Sequence, residues 1–146
     1  MTKGSIYSIS ISQERGQLKK EIPEATFIEN FGIEGDGHAG DWGRQITCIS
    51  RNSVKNTNAA YQINAGPGDF AENILIDDID LSNVKICSKI HIGDSVVLEV
   101  TQIGKEDHPS IVSLTLGVSL LPKEGLFCKV LNGGKVKKGD PVSITG

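Results

Sequence analysis

The 146-residue sequence predicts a mainly β fold: a closed or partly open β-barrel with a few short helices. Three observations carry this. Short β-branched runs recur along the chain, Gly, Asn and Asp break them, and only two segments have helical spacing. Many short strands with few helices favour barrel closure, which removes sheet edges that would otherwise pair with other chains.

Taken in order, residues 6–11 (Ile-Tyr-Ser-Ile-Ser-Ile) and 45–50 (Gln-Ile-Thr-Cys-Ile-Ser) read as strands, since β-branched side chains suit a pleated surface. Residues 53–61 fit a short helix capped by Ser50 or Asn52, with Gly66-Pro67-Gly68 beyond its end. Residues 90–100 read as two strands folded at Gly93-Asp94. Residues 110–121 place Ile111, Leu114 and Val118 at helix-compatible positions. Residues 126–131 form a further strand, and the Asn132-Gly133 that follows suits a tight hairpin because both residues tolerate positive φ. Residues 141–145 close the chain with a last strand. The pattern Ile90-x-x-Gly93-Asp94-x-Val96 recurs as Val136-x-x-Gly139-Asp140-x-Val142, as two similar hairpins with the same turn chemistry require. No linker or shift of composition divides the chain, so residues 1–146 read as one domain.

The net charge of −3 argues against a protein that holds nucleic acid through its phosphates. No apolar run is long enough to cross a bilayer, and the N-terminus lacks the apolar core of a secretory signal. A cytoplasmic protein without a membrane partner is expected. The cysteines, Cys48, Cys87 and Cys128, are odd in number and form no Cys-x-x-Cys pair. The histidines, His38, His91 and His108, lack short ligand spacing, so no metal site is expected.

Three segments could carry chemistry. Residues 32–45 are glycine-rich, and glycines let a backbone approach a ligand and offer N–H groups to an anion. Within them Asp36 and His38 suit a local hydrogen bond. His38 titrates near neutral pH, and Arg44 can fork onto a phosphate or carboxylate. Residues 66–73 read as a turn entering a strand, with Glu72 and Asn73 bracing the first loop. Residues 105–108, Lys-Glu-Asp-His, set four titratable side chains in a row after a β-branched run, and Lys123-Glu124 repeats a cation–acid pair.

Together, residues 34–40 (Glu-Gly-Asp-Gly-His-Ala-Gly), Arg44-Gln45, and residues 67–74, 100–105 and 124–131 resemble the MOSC domain, named after the C-terminal domain of molybdenum-cofactor sulfurase. The chain looks like a small stand-alone member of the bacterial type. The resemblance implies a barrel-like fold and a role around the molybdenum cofactor: binding the pterin (molybdopterin) or carrying sulfur to the metal. Family descriptions attach molybdenum ion and pyridoxal phosphate binding to such proteins, and the latter is borrowed from the fused sulfurase. The implied partners are a small-molecule or cofactor ligand and the molybdenum-cofactor enzymes or sulfurases that exchange it.

In this framework Gly35, Asp36 and Gly37 lie against the pterin while Arg44 and Lys105 hold its phosphate. His38, Lys105, Glu106, His108 and Cys128 are the candidate catalytic residues. One departure bears on sulfur transfer. Relatives commonly carry cysteine just after Gln-Ile-Gly-Lys, and this chain has Asp107 and Ile111 in that neighbourhood. Cys128 is the cysteine inside a matching motif, and strand alternation puts it on the face of Leu126 and Val130, where burial is expected. Two other functions remain open. One is a thiol-independent, lyase-type acid–base enzyme acting on a small anionic metabolite. There His38 or His108 would be the base, Glu106 or Asp36 would orient it, and Lys105 would stabilise the anion. The other is a non-catalytic adaptor in cofactor assembly. Cofactor binding through this pocket requires that Arg44 and Lys105 share one cavity.

Overall fold

The computed structural model of the chain describes residues 3–107 and 109–146. In order these form β1 (Lys3–Ile11), β2 (Lys20–Ile22), β3 (Glu24–Ile28), β4 (Gly32–Ile33), β5 (Ile46–Ser50), α1 (Arg51–Tyr61), β6 (Ile74–Asp77), β7 (Lys89–Ile92), β8 (Val96–Ile103), α2 (Ile111–Leu116), α3 (Leu121–Glu124), β9 (Leu126–Asn132), β10 (Gly134–Lys137) and β11 (Pro141–Thr145).

Among the described residues seven strands close into a barrel: β1, β6, β5, β9, β8, β7 and β11, which pairs back onto β1. The long β1 makes closure possible. Lys3 to Ser5 pair with β11, Ser5 to Ile9 with β6, and Ile9 to Ile11 with β2. A register shift between Ile6 and Ser8 lets the strand bend between these partners. All pairings in the barrel are antiparallel except β5 with β6, which are joined by α1, as a parallel pair requires. Alternation fills the interior: Ile90 and Ile92 of β7, Val96, Leu98 and Val100 of β8, and Leu126, Cys128 and Val130 of β9 are buried in one cluster. Burying one such aliphatic side chain contributes about 1.5–3 kcal/mol. A second core lies outside the wall, where Ile49, Leu75 and Phe127 meet Val54 of α1, Val112 of α2 and Phe70. The small sheet β10-β3-β4 stands beside the barrel, with Phe27, Ile33 and Val136 joined to the inner cluster.

The expected strands at 6–11, 45–50, 90–100, 126–131 and 141–145 are present. Three other expectations need correction, and four short strands add to those expected. The helix at 110–121 is two pieces, because Gly117 adopts φ 80° and ends α2. The Asn132-Gly133 step is no hairpin: β9 pairs with β8 and β5, whereas β10 pairs with β3. A Cβ on Gly133 would stand 2.5 Å from the Phe27 carbonyl oxygen, so this glycine serves a close chain crossing. The Gly-Asp echo likewise joins unlike structures. β7 and β8 form a hairpin, while β10 and β11 belong to different sheets. Finally, β2, β3, β4 and β6 carry no strong periodicity of their own and are set by their partners.

Candidate functional site

Three segments of the chain approach one another. They are residues 12–19 between β1 and β2, residues 34–45 between β4 and β5, and the segment from Gly104 that follows β8. Glycines permit the contacts. Gly37 donates its N–H to the Ser12 carbonyl at 2.7 Å, and a Cβ there would lie 2.6 Å from the Glu14 carbonyl carbon. Gly104 has φ 72°, and a Cβ would lie 2.6 Å from the Pro122 carbonyl oxygen. Lys105 N–H donates to that same carbonyl at 3.1 Å, which docks the Lys105 backbone on α3.

At the centre is a residue the sequence does not single out, Lys19. Its side chain is fully buried and its Nζ lies 2.7 Å from Asp36 Oδ1, 3.2 Å from Ser12 Oγ and 3.1 Å from His38 Nδ1. Asp36 is saturated from the protein side: Oδ1 also accepts the Ser12 N–H at 3.1 Å, and Oδ2 accepts the His38 N–H at 3.2 Å. A buried carboxylate and ammonium are tolerated here because each is paired and hydrogen-bonded. The loop at 66–73 supports Lys19 from behind. Gly68 O accepts the Lys19 N–H at 3.2 Å, and a Cβ on Gly68 would lie 2.1 Å from the Lys19 carbonyl oxygen.

His38 is half-buried beside this pair. Burial first, then the charges of Lys19, Arg15 and Lys105, outweigh the opposing Asp36 carboxylate and lower its pKa from 6.5 to about 4. The ring is therefore uncharged near neutrality. Trp42 stacks on it with centroids 6.2 Å apart and donates Nε1–H to the His38 carbonyl at 2.7 Å. Arg15 covers the Trp42 ring at 4.0 Å and donates to the Gly37 carbonyl at 3.3 Å. Arg44 donates Nε–H to Gln102 Oε1 at 3.2 Å and packs 5.1 Å over the Phe127 ring. Gln45, fully buried, ties this loop to the barrel by donating to the Gly40 carbonyl at 2.8 Å and accepting the Val130 N–H at 2.9 Å. Burial and the nearby Arg44 charge lower the pKa of Lys105. Arg44 and Lys105 are thus neighbours, and Lys105 is close enough to His38 to act on it.

Arg15 and Lys105 therefore act on an uncharged His38 and Arg44 acts on Lys105, a donor set suited to an anion. No group of three or more His, Cys, Asp or Glu among the described residues is placed to hold a metal ion.

Several expected roles are reassigned. Asp36 and Gly37 engage the neighbouring loop rather than an open ligand face, and the Asp36–His38 hydrogen bond runs to the His38 backbone, so Asp36 does not orient the ring. Gly35 sits in an exposed turn at φ 86°. Glu106 is exposed, and His108 lies outside the described residues. Glu72 and Asn73 do not touch the first loop. Glu72 accepts the N–H groups of Gly68 and Phe70 in its own loop, and Asn73 links Thr47 to Ser10.

Cys128 is the clearest correction to the catalytic set. It is fully buried in the barrel interior, and its contact with Cys48, together with burial, pushes the thiol well above its usual range. A sulfur carrier needs an accessible thiolate, which this thiol is not. Cys48 is equally buried, and the exposed Cys87 precedes β7, away from these loops in the chain. A groove of about 650 Å³ is also separate from this chemistry. Lys55, Asp78, Ile103 and Lys123 are among the residues that line it, and none of the cations around His38 does.

Residues 34–105 match the family model described as "MOSC domain". No curated protein matches the sequence. Among solved structures the chain resembles the YuaD protein of Bacillus subtilis, at 18% identity and TM-score 0.77, covering 97% of this chain and 95% of that one. It also resembles YiiM of Escherichia coli, at 18% identity and TM-score 0.72, covering 100% of this chain and 71% of that one. YiiM of Geobacillus stearothermophilus matches at 16% identity and TM-score 0.75, with coverage of 98% and 75%. At these identities the likeness shows the fold. The family is carried by the match of residues 34–105, from the glycine-rich loop through Lys105, to the MOSC domain.

Proposed function

We propose that the protein binds the molybdenum cofactor, or a pterin related to it, through the basic pocket formed by Arg15, Arg44 and Lys105. The observation that carries this reading is the approach of cations from three separate loops: Arg15 and Lys105 act on an uncharged His38, and Arg44 acts on Lys105. The cofactor's phosphate suits that set. Arg44 supplies a planar fork and Lys105 a point charge, the two usual ways a protein holds phosphate. The Trp42 and Arg15 stack gives the pocket a wall without further charge to satisfy. When bound, the cofactor would supply the metal and its sulfur ligands. The chain's own residues bind and orient it. Because Cys48 and Cys128 are buried and the exposed Cys87 lies away from these loops in the chain, the proposal is a binding role rather than persulfide transfer.

Lys105 favours a second reading. Its lowered pKa suits proton transfer in a thiol-independent enzyme acting on a small anionic metabolite. Native mass spectrometry of gently purified protein separates the two. A retained pterin, lost in Arg44→Ala, supports the binding role. No bound pterin, together with turnover of a small anion that Lys105→Ala abolishes, supports the enzyme.

A further inference from the structure

The pocket's charge polarity is fixed by a hydrogen-bond chain whose direction can be read at every link. Ser12 Oγ donates its single proton to the Glu14 carbonyl at 2.9 Å. It must therefore accept from Lys19 Nζ at 3.2 Å. The Lys19–Asp36 contact at 2.7 Å is that of an ammonium with a carboxylate, and Asp36 Oδ1 accepts it. An ammonium has three N–H donors and no acceptor. Its third proton goes to His38 Nδ1 at 3.1 Å. Nδ1 is then an acceptor, and a neutral imidazole carries its proton on Nε2.

We infer that Lys19 is a positioning residue that holds His38 as the Nε2–H tautomer, making it a hydrogen-bond donor to the ligand and not a base. The proposal deepens the anion-binding reading of the same pocket and rests on it for the ligand. The charged groups acting on His38 come from every packed loop: Arg15 and Lys19 from 12–19, Asp36 from its own loop, and Lys105 from the segment after β8. Toward a ligand the rim then offers donors: His38 Nε2–H, the Arg44 guanidinium and the Lys105 ammonium. A rim of donors favours an oxyanion that carries no proton over one that must donate. The preferred ligand class is a fully ionised oxyanion group, such as a phosphate monoester dianion. His38 does not follow the ligand's protonation, because the buried ammonium occupies its Nδ1.

Long-range ¹H–¹⁵N spectra of the wild-type protein give the first readout. Between pH 5 and 8 the expected His38 pattern is a bare Nδ1 and a protonated Nε2 that do not change. A protonated Nδ1, or an imidazolium forming in this range, overturns the assignment without any variant. In Lys19→Met the Asp36 carboxylate is left facing the ring, so His38 should take up a proton at Nδ1 within this range. Should that variant fail to fold, Lys19→Met/Asp36→Asn removes both charges, and the uniform Nε2–H pattern should give way to mixed tautomers. Persistence of the uniform pattern there would mean that Lys19 does not set it.

Calorimetric binding of sulfate and of phenyl phosphate, in a His108→Gln background that removes one other histidine, gives the second readout. Sulfate affinity should be flat from pH 5.5 to 7.5. Phenyl phosphate, with a second pKa near 6, should bind about fourfold more tightly at the higher pH if only its dianion is accepted. Sulfate binding that strengthens severalfold at pH 5.5 would show a titrating His38 and sink the proposal. If neither anion binds while the Nε2–H pattern persists, the anion-site reading fails and the role of Lys19 as tautomer lock stands.

Discussion

Lys19 and Cys128 exchange the roles their sequence contexts suggest. Lys19, next to Lys20, stands in no motif that the sequence singles out, yet it is the buried cation of the site. Cys128 sits in a family motif as a candidate carrier, but strand alternation already puts it inside, and it is packing. Neither burial nor the partners of Lys19 can be read locally, because Ser12, Asp36 and His38 approach it through the fold of two loops. The glycines were legible as a site, though for a different reason: Gly37 and Gly68 admit neighbouring backbone. Cys128→Ala should leave ligand retention in native mass spectra unchanged and lower stability by about 1–2 kcal/mol through lost packing. Arg44→Ala should weaken sulfate binding about 10- to 100-fold by calorimetry, the usual range for a charged hydrogen bond of about 1.5–3 kcal/mol. His38 bears on acid stability. Its folded pKa of about 4 lies below the ordinary 6.5, so its neutral form stabilises the fold above pH 6.5, and this is lost as pH falls toward 4. His38→Gln should flatten that limb in acid titrations followed by circular dichroism.

At the level of elements, the loop at 66–73 links stability to pH in the opposite sense. Burial raises the Glu72 pKa from 4.5 to about 7, against the Gly68 and Phe70 N–H groups that favour its charge. A raised folded-state pKa means the contribution is full below pH 4.5 and is lost as pH rises through 7. Chemical denaturation should show stability falling by up to about 3 kcal/mol across that window, with Glu72→Gln removing the slope. Gly68→Ala should be more disruptive than either, because the added Cβ would meet the Lys19 carbonyl and push on the loop that supports the site. The strong strands β1, β5, β7, β8, β9 and β11 were visible in the sequence because their β-branched runs bury a face. β4 has two residues and β3 five, so neither run is long enough to stand out in the sequence, although β3 alternates in burial. α1 was visible through its cap: Ser50 accepts the Asn52 N–H at 3.1 Å.

For the molecule as a whole, the choice of a barrel was legible from the number of strands, but its order was not. Pairing β1 with β11 joins the two ends of the chain, and only the chain's full path determines that register. Val142, 2% exposed and paired with both Gly4 and Ile92, stands at this seam. Val142→Ala should shift the urea midpoint by the equivalent of about 2 kcal/mol with an unchanged slope, as expected for one cooperative unit. Sealing the main sheet into a cylinder also concentrates a hazard elsewhere. Among the described residues, the small sheet ends at buried β4 on one side and at β10 on the other, where exposed Lys135 and Lys137 flank buried Val136. Two like charges along that margin repel a second copy that would otherwise zip on, the means by which natural sheets blunt their edges against fibre growth.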